Sequence, residues 1–138
     1  MRNHIMVKKE ITNSKLPSLG FPWALHLKEV KEWLFISGVP AMDNTGKVIG
    51  ETVEQQFRYI VERIEEILLG AGLELSDIIF LTITVTEKVN LYEKWGGLLK
   101  EYVDYFPNAP GPAGGTLRIV KGLSHPKMLI EVEGVAAR

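Results

Sequence analysis

The sequence predicts an α+β fold in which two helices pack on one face of a single mixed β-sheet. Two stretches have apolar residues at helical spacing, and several others are β-branched or alternate apolar with polar residues. Their order along the chain is two strands, helix, strand, helix, two strands. At 138 residues the chain suits one domain, residues 1–138, with a single core.

The strands are predicted from alternation and from β-branched runs. Residues 24–28 alternate apolar and polar, whereas residues 33–37 are more apolar and should lie deeper. Residues 78–85 form a β-branched run typical of a central strand. Further strands are expected near residues 5–11, 116–120 and 128–136.

Each helix is predicted from an apolar stripe and its end signals. Thr52 and Gln55 have the spacing of a capping box, and glycines at 70 and 72 predict the C-terminal end of the first helix. Asn90 resembles a second N-cap, and Pro107 should end the second helix. The first stripe is Val53, Phe57, Ile60, Val61, Ile64, Ile67 and Leu68; the second is Leu91, Trp95, Leu98, Leu99, Tyr102, Val103 and Phe106.

Composition excludes several classes of function. Sixteen basic residues against 17 acidic ones give a net charge of −1, without the basic stripe of a nucleic-acid-binding protein. The chain has no cysteine, and its three histidines suggest no metal site. The sequence contains no run of about 18 apolar residues, so it predicts no membrane span. We therefore expect a cytoplasmic protein with no cofactor, no nucleic-acid partner and no membrane partner.

Several short strings, in this order and spacing, resemble the RidA/YjgF/UK114 family. Phe21-Pro22-Trp23 stands where the family has Gly-Pro-Tyr, and residues 35–38 are similar to its strand ending in Ser-Gly. Residues 52–72 resemble its first helix, and residues 130–136 its closing Glu-hydrophobic-Glu strand. The similarity covers residues 20–138 and leaves the N-terminal segment 1–19 outside it. It implies a chorismate mutase-like sandwich, a homotrimer and a ligand cleft between subunits.

The resemblance also identifies what this sequence lacks. In the family, Pro-Ala is followed by an arginine that grips the substrate carboxylate of active imine deaminases, as suits a guanidinium fork. Here Gly114 stands at that position, Leu99 replaces an asparagine of the second helix, and Trp23 replaces a tyrosine. Two glycines directly before a predicted strand also need an explanation, because glycine weakens a strand interior. The stretch Pro112-Ala113-Gly114-Gly115-Thr116 predicts either a turn or a close approach of another group.

What remains implies an enamine or imine deaminase, a hydrolase, acting on a small non-standard substrate in the cleft. Glu131 would position water as the catalytic residue. The ligand-binding residues would be Trp23, Ser37, Gly38, Gly114, Thr116 and Arg118. The alternative is a family member that binds or senses a small ligand without turnover. RNA cleavage, proposed for some relatives, gains no support from charge or motif.

Three further residues have competing interpretations. Arg118 shares a strand face with Thr116, their Cα atoms about 7 Å apart, so it could replace the missing clamp or be a solvated arginine. Glu133 shares a face with Glu131 and could act beside it or be solvated. His26 could shuttle a proton or be a structural surface residue.

Overall fold

A computed structural model describes residues 6–17, 22–105 and 114–138, without the side chains of residues 99–105. The loop predicted at residues 107–112 lies outside these ranges, as do Phe106 of the second apolar stripe and His4. The side chain of Leu99 is likewise outside the described part.

The order of elements confirms the α+β prediction. Neither helix in the described part of the chain is long and apolar enough to cross a membrane. A 3-10 turn at Leu75–Asp77 precedes the central strand. The elements are β1 (Val7–Ile11), β2 (Ala24–Lys28), β3 (Trp33–Pro40), α1 (Val53–Gly70), β4 (Ile78–Thr86), α2 (Leu91–Tyr105), β5 (Gly114–Val120) and β6 (Ile130–Ala137).

The main sheet has four strands in the order β3-β6-β4-β5. β4 and β5 run parallel, whereas β6 is antiparallel to both of its neighbours, so the sheet is mixed as predicted. β1 and β2 pair with each other as a separate antiparallel two-stranded sheet. The register between β3 and β6 shifts between Ile36 and Val39, which is a β-bulge at Ser37-Gly38.

The core lies between the helices and one face of this sheet. The apolar stripe of α1 packs there because its members recur at 3 and 4 residues, with the exception of Ile67, which is exposed at the edge of the stripe. Alternate residues of the strands meet it, as the period of 2 requires. The fully buried side chains include Phe57, Ile60, Ile64 and Leu68 from α1, and Leu81, Val85, Ile130 and Val132 from the sheet.

Two sets of side-chain hydrogen bonds hold the start of α1 in place. The predicted capping box is present: the Thr52 hydroxyl accepts from the Gln55 backbone N–H, and the Gln55 side chain accepts from the Thr52 backbone N–H. The buried Gln56 side chain donates to the carbonyls of Gly50 and Lys127 and accepts from the N–H of Leu129. Gln56 therefore ties the start of α1 to the chain that leads into β6.

The glycine pair at 114–115 lies inside β5, not in a turn before it. A Cβ on Gly115 would lie 2.8 Å from the backbone carbonyl oxygen of Leu81 on the neighbouring strand. Atoms that close cannot be accommodated without moving backbone. The close approach expected of these glycines is therefore made by the protein's own β4.

Candidate functional site

The sheet face opposite the helices carries three of the predicted site residues, Thr116, Arg118 and Glu131. We call it the open face and define it by Phe35, Phe80, Thr82, Thr84, Thr116, Arg118, Glu131, Glu133 and Val135. These side chains alternate along their strands with those that enter the core. Only a sheet packed on one side would leave so many polar groups on the other.

Glu131 and Gly38 form the tightest contact among the predicted site residues. A Cβ built on Gly38 would lie 2.8 Å from both Cδ and Oε1 of Glu131. The carboxylate of Glu131 thus rests on the β-bulge of β3, where the absence of a side chain makes room for it. Glu131 itself is half-buried. The structure thereby brings together Gly38 and Glu131, with Ser37 adjacent in the same bulge.

The strand register arranges the open face in rows. One row runs Pro40, Glu131, Thr84 and Arg118, each paired with the next across β3, β6, β4 and β5. The next row contains Glu133, Thr82 and Thr116. Residues in one row share a face and are separated by about 4.8 Å per strand.

A third row places Gly114 among apolar residues. Its members are Phe35, Val135, Phe80 and Gly114. Phe35 is 75% exposed and Phe80 40% exposed. The position where the resemblance places the family arginine is therefore two rows, or about 13 Å along the strand, from the row of Glu131.

The predicted ligand-binding residues consequently fall into two groups within one chain. Ser37, Gly38 and Glu131 lie on β3 and β6, whereas Gly114 and Thr116 lie on β5. Thr116 is about 12 Å from Glu131 between Cα atoms, two strands and one row away. A small ligand that touches both groups would span this distance or meet them on two different copies of the chain.

Trp23 and His26 lie apart from these rows. Both belong to the β1–β2 hairpin region, where the Trp23 indole N–H donates to the carbonyl of Pro17 at 2.9 Å. Trp23 is 44% exposed, and His26 is exposed on β2. The arrangement gives His26 no metal partners: within the described ranges, no three histidine or acidic side chains cluster as metal ligands do.

Thr82 and Thr84 are open-face residues that the sequence reasoning did not single out. Thr82 is buried although it lies on the open face, and Thr84 is half-buried between Glu131 and Arg118. The signal was present as threonines at every second position of residues 82–86. Such spacing indicates a hydroxyl-lined face, but without the register nothing connects it to Glu131.

Comparison with known proteins agrees with this architecture. A family model described as Endoribonuclease L-PSP matches residues 21–138. The chloroplastic Reactive Intermediate Deaminase A of Arabidopsis thaliana is 30% identical over 132 residues, which cover 94% of this chain and 66% of that protein. A RutC family protein of Pyrococcus horikoshii is 30% identical over 133 residues, covering 94% of this chain and 98% of the relative.

Solved structures have the same fold. YyfB, a Rid-family protein of unknown function from Yersinia pestis, superposes with a TM-score of 0.83 at 23% identity, covering 95% of this chain and 98% of that one. Rv2704 from Mycobacterium tuberculosis, a member of the YjgF/YER057c/UK114 family, gives a TM-score of 0.64 at 19% identity, covering 97% and 100%. The family model and the sequence relatives together establish that this chain belongs to the RidA/YjgF family, whose model is described as Endoribonuclease L-PSP.

Proposed function

We propose that this protein hydrolyses an imine or enamine of a small organic acid on the open face of its sheet. The proposal rests on the position of the Glu131 carboxylate against the β-bulge at Gly38. Its Oε1 lies 2.8 Å from the place that a Cβ on Gly38 would occupy. A carboxylate confined in this way can hold a water molecule in a fixed position. The names of relatives support the reaction class, because one is a reactive intermediate deaminase.

The chemistry requires only a positioned water and a proton route. An enamine first tautomerises to the imine. The water that donates a hydrogen bond to Glu131 attacks the imine carbon and forms a C–O bond. One proton of this water passes to the Glu131 carboxylate, while the π pair of C=N moves to nitrogen, which takes a proton from solvent. Glu131 then returns its proton to the amine nitrogen, the C–N bond breaks, ammonia leaves, and the hydroxyl loses its proton to solvent to form the carbonyl. General acid–base assistance of this kind contributes about 10²–10⁴-fold.

Support for a second copy at the site comes from the exposed apolar groups of the open face. Phe35 is 75% exposed, and its ring stacks with that of Trp33 at 6.4 Å between centroids. Large apolar side chains left exposed together favour burial in an interface. We propose a homotrimer in which the open face of one copy is completed by the next, so that Gly38 and Glu131 meet Thr116 of another copy.

The assembly is tested by native mass. We expect a mass near three times the 15.5 kDa of the chain. Phe35→Glu should shift the protein toward the monomer, because the charge would be buried in the interface. Tyr92→Glu is the matched control, since Tyr92 lies on α2 and is 96% exposed. A wild-type monomer, or equal masses for wild type and Phe35→Glu, would contradict the proposed interface.

The reaction is tested by ammonia release from 2-aminoacrylate and 2-iminobutanoate generated in situ by a dehydratase. Glu131→Gln should lower the enzyme-dependent rate about 100-fold or more, because the amide is a poor base. Glu133→Gln is the control on the same strand face and should retain the wild-type rate. Equal rates for wild type and Glu131→Gln would remove Glu131 from the mechanism.

A non-catalytic ligand-binding protein is the second candidate. It is favoured by Gly114, which the resemblance places where active relatives have an arginine. It predicts saturable ligand binding without ammonia release. RNA cleavage is disfavoured, because Glu131 and Glu133 on the open face would repel a phosphate backbone.

A further inference from the structure

The β1–β2 hairpin turns one face toward the core and the other away from it. Lys8 pairs with Leu27 and Glu10 with Leu25, and both leucines pack against the core. The alternate residues therefore point to the opposite side, as the period of 2 requires. We call this side the hairpin outer face. All of its members are exposed, and they are Val7, Lys9, Ile11, Ala24, His26 and Lys28.

The titratable groups of the hairpin outer face are all basic. Lys9 lies directly opposite His26, and Lys28 is diagonal to Lys9 and two residues from His26. Such opposite and diagonal pairs are separated by about 5 Å and about 7–8 Å, so we call these three residues the basic triangle. Like charges placed directly opposite each other destabilise a strand pair. An anion bound among the three side chains would remove this repulsion.

The carboxylates near the hairpin do not neutralise the basic triangle. Burial lowers the pKa of the Lys8 ammonium, and the negative charges of Asp77 and Glu10 act against this shift. Glu10 and Lys8 both lie on the face opposite the triangle, and Glu29 follows the last residue of β2. Within the described part of the chain, no member of the triangle makes an ion pair.

We propose that the basic triangle binds the dianionic phosphate group of a small phosphate monoester. A lysine ammonium binds phosphate as a point charge, and a protonated imidazole supplies further N–H donors. A phosphate group offers three strong acceptor oxygens and up to two negative charges, which complement three basic side chains better than one carboxylate does. The site lies on the hairpin, and its argument does not rest on the proposed hydrolysis.

The residues beside the triangle indicate what the phosphate is attached to. Val7 and Ile11 flank Lys9 on β1 and are 45% and 38% exposed. An apolar group on the ester oxygen would cover them, so we expect an ester with such a group to bind more tightly than inorganic phosphate. Three basic groups on a chain with a net charge of −1 suit one phosphate rather than a nucleic-acid backbone.

The test measures Kd values by titration calorimetry at low salt and about pH 6.5. At this pH most of a phosphate monoester is dianionic, and about half of histidine in water is protonated. The probes are phenyl phosphate, inorganic phosphate and benzoate, which has the ring but a single charge. Wild type should bind phenyl phosphate most tightly of the three.

The variants remove one basic group at a time. Lys9→Gln and Lys28→Gln should each raise the Kd of phenyl phosphate about tenfold, because each loses one charge-assisted hydrogen bond. His26→Gln should raise it by a smaller factor, since only part of the imidazole is charged. Lys9→Arg should restore most of the affinity. Lys47→Gln is the control: it removes an exposed cation from the turn at residues 43–47 and should bind like wild type.

Each outcome decides a separate part of the inference. Failure of wild type to bind either phosphate, or wild-type affinity in both Lys9→Gln and Lys28→Gln, would overturn the site. Inorganic phosphate binding as tightly as phenyl phosphate would overturn the apolar ester. Tighter binding of a ten-nucleotide RNA, with a salt dependence of several phosphate contacts, would overturn the single-phosphate ligand. Triangle-dependent phosphate binding without ammonia release would support the site and contradict only the proposed hydrolysis.

Discussion

Gly38→Ala should impair the reaction while leaving the protein folded. The new Cβ would lie 2.8 Å from Cδ and Oε1 of Glu131, whereas ordinary contacts lie at 3.4–4 Å. The carboxylate must therefore move by about 0.6 Å or more, and the backbone need not move because the clash is with the far end of a flexible side chain. The φ of Gly38 is outside the left-handed region, so alanine fits its backbone.

The magnitude follows from the displacement. A misplacement of about 1 Å in a catalytic group can lower a rate by about 10²-fold. We expect kcat/KM for ammonia release to fall about 10- to 100-fold. The free energy of unfolding should change by less than about 1 kcal/mol, because the strain is relieved by side-chain rotation and alanine restricts the unfolded chain.

The assay combines ammonia release with urea denaturation. Gly122→Ala is the matched control, because a Cβ there would meet no atom within 4 Å. It should match wild type in both measurements. Wild-type kcat/KM in a folded Gly38→Ala variant would show that the position of the Glu131 carboxylate does not limit the rate, contrary to this prediction. A large loss of stability would refute the claim that only the side chain yields.

The remaining predictions concern stability. Gln56→Leu should lower the free energy of unfolding by about 3 kcal/mol or more in urea denaturation, because three backbone groups lose their buried partner; a loss below about 1 kcal/mol would contradict that role. Gly134→Ala should destabilise more than Gly38→Ala, since its Cβ would lie 2.9 Å from the Phe80 carbonyl oxygen, which belongs to the backbone; equal stabilities would be evidence against it. Asp77→Asn should lower the melting temperature, because the 3.0 Å hydrogen bond from Arg138 to its buried carboxylate weakens; an unchanged melting temperature would contradict this.

Local patterns predicted the elements well. The capping box of Thr52 and Gln55 and the stripe from Val53 to Leu68 require only short-range chemistry. The structure confirms the capping box and buries the stripe except for Ile67, which is 41% exposed. The run at residues 78–85 likewise became the central strand β4, which extends one residue further. The residues that make up each of these signals are close together in the sequence, so each signal can be recognised without knowledge of the rest of the fold.

The arrangement of the site could not be predicted from local sequence patterns, because it is set by the pairing of strands that are distant in sequence. The row that joins Glu131, Thr84 and Arg118 is set by the register of three strands that are distant in sequence. The bulge that turns Gly38 toward Glu131 is a property of the pairing between β3 and β6. The resemblance named Gly38 and Glu131 separately, but only the strand pairing explains why a glycine is required beside that carboxylate.

Hydrolysis of an imino acid through Glu131 is the function that we propose for this chain. The most direct measurement is the rate of ammonia release from 2-iminobutanoate and from imino acids with larger side chains as the concentration of wild-type protein is raised, with the protein-free rate subtracted. For at least one of these imino acids, we expect a rate that is proportional to the concentration of wild-type protein and absent for equal amounts of folded Glu131→Gln. A rate that stays at the protein-free value across the whole range, for imino acids with small and large side chains alike, would contradict it.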